Sequence, residues 1–235
     1  MGRLRLRSRH RVLCGDSTKA EDVERLMDGE KADMVFTDPP YGMNLETDYS
    51  KIKGSKKSKV QAEGKTYRPV IGDDQNFDPS ILIDRFISAK NQLWWGADWY
   101  YERLPAGGSF VVWNKRTFDG SKEMIGNHFE TCWSLKKRRR VVYDHGWVGF
   151  TARNQEFARE HPTEKPVALI AQMIRDFDDE ADLIVDLFLG SGTTLIAAEQ
   201  LDRRCFGMEI DPTYCDIIVR RFENLTGEEA VRWDG

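Results

Sequence analysis

Apolar residues occur along this chain in short runs, most of them closed by glycine, aspartate or proline. Residues 32–37, 109–113, 183–188 and 204–210 are continuous rather than alternating, which predicts strands buried on both faces. Residues 4–15 alternate and then turn apolar at Val12, Leu13 and Cys14, predicting a first strand that ends at Gly15-Asp16-Ser17. Between strands the apolar positions recur at helical spacing. Val23, Leu26 and Met27 mark a helix capped by Ser17 or Thr18 and ended by Gly29. Ile83, Phe86 and Ile87 mark a second, from Pro79 to about Gln92. Val167, Ile170, Ala171 and Ile174 mark a third behind Pro166, a residue suited to a first helical position. Two more helices are predicted at 193–201 and 212–225, the latter stopped by Gly227. Leu93-Trp94-Trp95-Gly96 reads as a short strand, and 130–135 with 140–150 as a hairpin at the sheet edge. Strands alternating with helices predict an α/β fold: a mixed, mostly parallel sheet with helices on both faces.

The exception is residues 42–77, where periodicity lapses and Lys, Ser, Gly and Asp crowd together. A loop of that length inside a compact domain is usually functional or disordered. No linker separates two folding units, so the 235 residues are read as one domain. No apolar run approaches the ~18 residues of a membrane span, and no leader-like segment is present, which points to the cytoplasm and away from a membrane partner. Cys14, Cys132, Cys205 and Cys215 are scattered without a Cys-x-x-Cys pair. They read as buried thiols, neither a disulfide frame nor a zinc site, and no metal-ligand cluster is apparent.

A net charge of −4 does not advertise nucleic acid, but the charge is segregated. Lys53, Lys56, Lys57 and Lys59 crowd the 42–77 loop, and Lys136, Lys137, Arg138, Arg139 and Arg140 form an unbroken basic run. Such clusters can bind phosphates despite an acidic total, although any one of them alone is more often solvated surface. Of the tryptophans, Trp94, Trp95 and Trp99 are expected mostly in the core. Trp133 and Trp147 flank the basic run and have the better claim to lie near nucleic acid.

Two stretches carry chemistry. Asp186-Leu187-Phe188-Leu189-Gly190-Ser191-Gly192-Thr193 is a strand, a glycine turn and a helix start. Its backbone can approach a ligand closely, and the helix N-terminus offers free N–H groups. The following strand ends in Glu209-Ile210-Asp211, placing a carboxylate where ribose hydroxyls bind in nucleotide-binding units. The turn lacks the third glycine of a dinucleotide fingerprint, so an adenosine-containing cofactor other than NAD is indicated. Asp38-Pro39-Pro40-Tyr41 closes the 32–37 strand, at the strand end where such sheets bind ligands. The prolines stiffen the backbone there, between a carboxylate and an aromatic ring.

Together with His161-Pro162-Thr163-Glu164-Lys165-Pro166, these motifs resemble the S-adenosylmethionine-dependent amino-methyltransferases of DNA, and their order resembles the permuted β group. The resemblance spans about residues 12–225. It implies a circularly permuted, Rossmann-like methyltransferase fold, with a Lys-rich insertion at about 42–77 and a very short target-recognition segment at about 150–160. It implies that Asp38 and the Pro39 carbonyl accept hydrogen bonds from an exocyclic amine, beside Pro40, while Tyr41 stacks on a flipped base. It further implies that Asp186, Phe188, Gly190, Ser191, Gly192, Thr193, Glu209 and Ile210 line the cofactor. His161, Thr163 and Lys165 would hold its amino-acid end, and Asp16 and Ser17 its adenine. Direct in-line transfer to such an amine needs no metal. Asp at the first motif position resembles the adenine-N6 members more than the cytosine-N4 members. Cytosine-N4 methylation, action on RNA or a protein amide, and a catalytically idle DNA-binding subunit are the alternatives. The partners implied are double-stranded DNA, a second copy of the chain and a companion restriction nuclease, in a bacterial, phage or plasmid setting.

Overall fold

The computed structural model describes residues 3–6, 9–45, 47–48, 67–117, 127–146 and 164–233. Among these residues ten strands form one sheet: β1 Arg3–Leu6, β2 His10–Cys14, β3 Met34–Thr37, β4 Asn91–Trp95, β5 Ser109–Asn114, β6 Phe129–Ser134, β7 Val141–Asp144, β8 Leu183–Asp186, β9 Arg204–Glu209 and β10 Val231–Trp233. Their order is β10-β1-β2-β9-β8-β3-β4-β6-β5-β7. Only β1 and β6 run against the rest, so the sheet is mixed and mostly parallel.

Helices α1 Ala20–Met27, α2 Ser80–Arg85, α3 Val167–Phe177, α4 Thr193–Gln200 and α5 Pro212–Thr226 cover the two faces. Side chains alternate across each strand, and two cores result. Met34, Phe36, Leu93, Trp95 and Ile184 pack with α3, α4 and α5. Val35, Trp94, Leu183, Val185 and Phe206 pack with α1 and α2 on the other side. Trp94, Trp95 and Trp113 are fully buried, and truncating one of them to alanine is worth about 3–5 kcal/mol.

Four expectations are corrected. The first predicted strand is two, β1 and β2, an antiparallel pair joined across residues 7–9. Ser17 and Thr18 do not cap α1. Lys19 stands at its N-cap, because the Ser17 hydroxyl turns inward to the Leu187 carbonyl and Asp16 holds the Thr18 amide at 3.0 Å. The helix after Pro79 stops at Arg85, because Gln92 is already in β4 and donates to the Ile83 and Phe86 carbonyls at 3.0 and 2.8 Å. Finally, β6 and β7 are not a hairpin at the edge. β5 lies between them, antiparallel to β6 and parallel to β7, and β6 is inside the sheet against β4.

Where the pattern was strong the boundaries agree. Pro166 precedes α3, Asp211 caps α5 through the Thr213 amide at 2.8 Å, and Gly227 ends α5 with φ of 71°. Cys132, Cys205 and Cys215 are buried thiols, and Cys14 is half-buried. No helix among the described residues is long and apolar enough to cross a membrane.

Candidate active site

β3 and β8 are parallel neighbours at the centre of the sheet, so their carboxyl ends open side by side. A stitch joins them there: the Thr37 hydroxyl donates to Asp186 Oδ1 at 2.8 Å. The carboxyl ends of β3, β4, β8 and β9 frame a cavity of about 640 Å³, within the range of pockets that enclose small ligands. It is lined by Asp16, Ser17, Asp38, Pro39, Pro40, Tyr41, Lys165, Asp186, Phe188, Gly190, Ser191, Thr193, Glu209 and Ile210. Two motifs about 150 residues apart in sequence thus share one space. Gly192 sits behind the wall at the N-cap of α4, with φ of 89°. His161, Thr163 and the lysines at 53, 56, 57 and 59 lie outside the described residues, as does Trp147.

The glycine-turn half is built to receive hydroxyls and a close backbone. Gly190 has φ of 56°. Its amide donates to Glu209 Oε2 at 2.8 Å, and the Asp211 amide donates to Oε1 at 2.9 Å. A carboxylate has roughly four acceptor positions, so Glu209 keeps capacity for a ligand. Burial pushes its pKa up to about 7, against those two amide bonds. Asp186 is buried more deeply and pushed up to about 6, held by Thr37 and by the Phe188 amide at 3.1 Å. Asp16 lines the cavity, but the Ser17 hydroxyl is already used on Leu187. Ser191 accepts from Arg221 through both its carbonyl and its hydroxyl at 2.8 Å. Trp95 also lines the cavity, and its buried indole nitrogen finds no acceptor among the described residues. A cradle of this chemistry fits an adenosine-containing ligand.

The other half centres on Asp38. Tyr41 donates its hydroxyl to Asp38 Oδ1, and the Lys165 ammonium donates to Oδ2. Lys165 is also 3.6 Å from Glu130 on β6 and lies over the Trp95 ring at 4.9 Å. Glu130 in turn accepts from Lys115. Burial pushes the Asp38 carboxyl above its usual range, against the pull of Lys165. Burial alone would lower Lys165, but Asp38 and Glu130 outweigh it and hold the ammonium above its ordinary value. Burial would likewise raise Glu130, yet Lys165 and Lys115 hold it low. Lys165, expected at the cofactor, therefore stands on the Asp38 carboxylate.

Three features of the site were not anticipated from sequence. Asp73, a buried carboxylate, accepts from the Tyr41, Gly42 and Met43 amides at 3.1, 3.1 and 3.3 Å and from Leu45 at 2.8 Å, fixing the loop after the motif. Gly96 ends β4 directly beneath Tyr41, where a Cβ would fall 1.9 Å from the ring. Phe77 meets Phe188 edge-on at 5.4 Å and Tyr100 at 5.9 Å, and Tyr100 lies 6.5 Å from Tyr41, so an aromatic row joins the two halves. Only the glycine after a Trp-Trp strand was a usable signal.

The basic run is not brought to this site. It follows β6, which runs against its neighbours, so residues 136–140 lie at the opposite end of the strands from Asp38. Arg138 is structural: it donates to Asn91 and, at 3.0 Å, to the Phe177 carbonyl, and stacks 5.0 Å from the Phe177 ring. Trp133 is core rather than surface, with its ring against Gly108. The described ends of the 42–77 segment, by contrast, line the cavity mouth. Tyr67 pairs with Thr47 at 2.9 Å, and Arg68 bonds Asp211 at 2.9 Å. No group of His, Cys, Asp and Glu able to hold a metal occurs among the described residues.

Comparison with known proteins follows the same geometry. Residues 32–220 match the N6/N4 methyltransferase family model, described as DNA methylase. The type II methyltransferase M2.LlaDCHI of Lactococcus lactis subsp. cremoris is 36% identical over 231 aligned positions, covering 82% of each chain. Among solved structures, the cytosine-N4-specific PvuII DNA methyltransferase superposes with a TM-score of 0.55 at 16% identity, over 91% of this chain and 86% of that one. The M1.HpyAVI complex with S-adenosylmethionine gives 0.51 at 20% identity, over 89% and 98%.

Proposed function

Because the chain belongs to the N6/N4 DNA methylase family, whose members are S-adenosylmethionine-dependent amino-methyltransferases of DNA, we propose that it methylates adenine N6 in double-stranded DNA. The observation that carries this reading is the shared cavity, with the Asp38-Pro39-Pro40-Tyr41 end of β3 on one side and the Gly190–Glu209 cradle on the other. The bound cofactor supplies a methyl group made electrophilic by the sulfonium charge. Phe188, Gly190, Glu209 and Ile210 would hold its adenosine, with Asp16 at the adenine.

The protein's part is positioning and electrostatics. An exocyclic amine is a poor nucleophile because its lone pair is delocalised into the ring. Asp38 and the Pro39 carbonyl accept its two N–H bonds, which frees the lone pair and stabilises the positive charge that develops on nitrogen. A base inside a duplex cannot reach them, so it must be flipped and held by stacking, here on Tyr41. The acidic first position of the motif supports adenine over cytosine. Incubation with labelled cofactor and DNA, followed by digestion to nucleosides, tests the assignment. N6-methyladenine is expected, N4-methylcytosine overturns the choice of base, and no modified nucleoside overturns the activity.

Two further outcomes are expected. The ribose hydroxyls need the Glu209 carboxylate ionised, so cofactor affinity should rise as pH increases through about 7. Glu209→Gln should weaken binding about tenfold and flatten that dependence in calorimetric titrations. The 42–77 segment is proposed as the DNA-facing insertion of a single domain, since its described ends frame the cavity mouth. Deleting residues 50–65 should then weaken DNA binding and reduce its salt dependence while sparing cofactor affinity; unchanged DNA binding would rule the insertion out. The type II relative supports a modification role beside a nuclease, which methylated DNA resisting that nuclease would test.

A further inference from the structure

The chain Asp38–Lys165–Glu130–Lys115 joins four elements: the end of β3, the segment before α3, β6 and the residue after β5. Lys165 is 7% exposed, and its ammonium is enclosed by Asp38, Glu130 and the Trp95 ring. We propose that Lys165 is a positioning residue that acts through Asp38, locking one carboxylate oxygen so that the other faces the base, and not a ligand of the cofactor. This rests on the methyltransferase reading above.

The geometry sets out the roles. Asp38 has two oxygens, and each accepts from one side chain among the described residues. The Lys165 bond to Oδ2 is partly buried and backed by Glu130, which also accepts from Lys115. The Tyr41 bond to Oδ1 comes from the ring that must move to stack on a base. Oδ1 is therefore the oxygen released for the amine, with the tyrosine hydroxyl holding its place until substrate arrives. Lys165 remains, and fixes the carboxylate plane through the exchange. A lone carboxylate buried here would take up a proton and lose its acceptor strength; the ammonium opposes that. Glu130 has the converse role. It balances the Lys165 charge, so the partly buried row carries two positive and two negative groups and costs less desolvation than an unpaired ion.

Among the described residues, the charged and titratable groups facing Asp38 are Tyr41 on its own loop, Lys165 before α3, Glu130 and Cys132 on β6, Tyr100 after β4 and Asp186 on β8. Of these, Lys165 is the cation. Removing it should raise the Asp38 titration, whereas removing the Glu130 charge should lower it.

The test is a pH profile of single-turnover methyl transfer for Lys165→Met, Lys165→Arg and Glu130→Gln. The Asp38 carboxyl is titrated in parallel, without DNA, by carbon-13 NMR of labelled aspartate and assigned with Asp38→Asn. For Lys165→Met, the acid limb and the carboxyl titration should both move up by about one pH unit or more, with cofactor affinity within about threefold of wild type. Lys165→Arg keeps the charge and should leave the limb within about 0.3 unit, even if its bulk slows transfer. Glu130→Gln should move the limb the other way. Cofactor affinity falling by about tenfold or more in Lys165→Met, with limb and titration unmoved, would overturn the proposal and return Lys165 to the cofactor. Should Lys165→Met not fold, an unmoved limb in Glu130→Gln would overturn it equally. A wild-type protein whose Asp38 titrates as described but which makes no methylated nucleoside would sink the activity and leave the placement of Lys165 standing.

Discussion

Asp38→Ala is expected to lower the single-turnover rate of methyl transfer about a thousandfold while cofactor affinity changes less than about threefold. The magnitude follows from losing one preorganised hydrogen-bonding group that acts on charge developing in the transition state, which typically costs 10²–10³. One further loss adds to it: Lys165 would be left with Glu130 as its carboxylate partner. Asp38→Asn separates the contributions, because it keeps one oxygen acceptor of nearly the same shape but no charge. Its rate should fall about tenfold to a hundredfold. Cofactor binding is spared in both variants because the Gly190–Glu209 cradle is built from other strands. A wild-type rate in Asp38→Ala would remove Asp38 from the chemistry.

Gly96→Ala should be nearly as damaging, from a residue that carries no functional group. The Tyr41 ring lies on the Gly96 backbone, and a Cβ there would be 1.9, 2.2 and 2.4 Å from three of its carbons. The backbone cannot give way cheaply, since the Gly96 amide is tied to the Thr131 carbonyl at 3.0 Å and its carbonyl to the Trp99 amide at 2.9 Å. Its φ of 68° is strained for any side chain. The ring must move, taking the stacking face and the Asp38 bond with it. A rate loss of about a hundredfold and a stability loss of about 2–3 kcal/mol are expected, read from single-turnover kinetics and thermal melts. Gly107→Ala is the control. Its φ of 95° is equally unusual, but nothing lies within 4 Å of the added carbon. It should cost only about 1 kcal/mol of backbone strain and leave transfer unchanged. Equal rates for the two variants would show that the ring contact is unimportant.

What could be read from the sequence follows from which interactions are local. Strands β3, β5, β8 and β9 and helices α3, α4 and α5 announce themselves through continuous apolar runs, helical spacing and capping residues within a few positions. Pairing does not. Nothing within residues 129–144 says that β5 will come between β6 and β7, because that choice depends on which edge the earlier β4 leaves open. The same holds within the site. Asp38, Gly190 and Glu209 are marked by their neighbours in sequence, and they line one cavity. Asp73, Glu130 and Lys115 act through partners 15–35 residues or more away, and no local pattern marks them. Lys165 is marked by its motif, but the motif does not say which carboxylate it will face, and its contact with Asp38 comes only with the fold. The run 136–140 shows the opposite case. Its charge is conspicuous in sequence, but the reversed direction of β6 carries it away from the cavity.

The Thr37–Asp186 stitch has a consequence for how the protein comes into being. The seam between β3 and β8 closes a loop of some 150 residues, and contacts of such long range form late. A ribosome making about 5–20 residues per second releases the Asp38 end of the site well before the strand that completes it. During that interval the nascent chain displays a carboxylate and a ring without the cradle opposite. Truncated products ending before β8 would be inert, and a ligand that bridges the seam would act as a late chaperone of the very strands it needs. Refolding in the presence of cofactor should therefore yield more native protein by trapping the closed seam, most visibly in a Thr37→Val variant, where the stitch is gone.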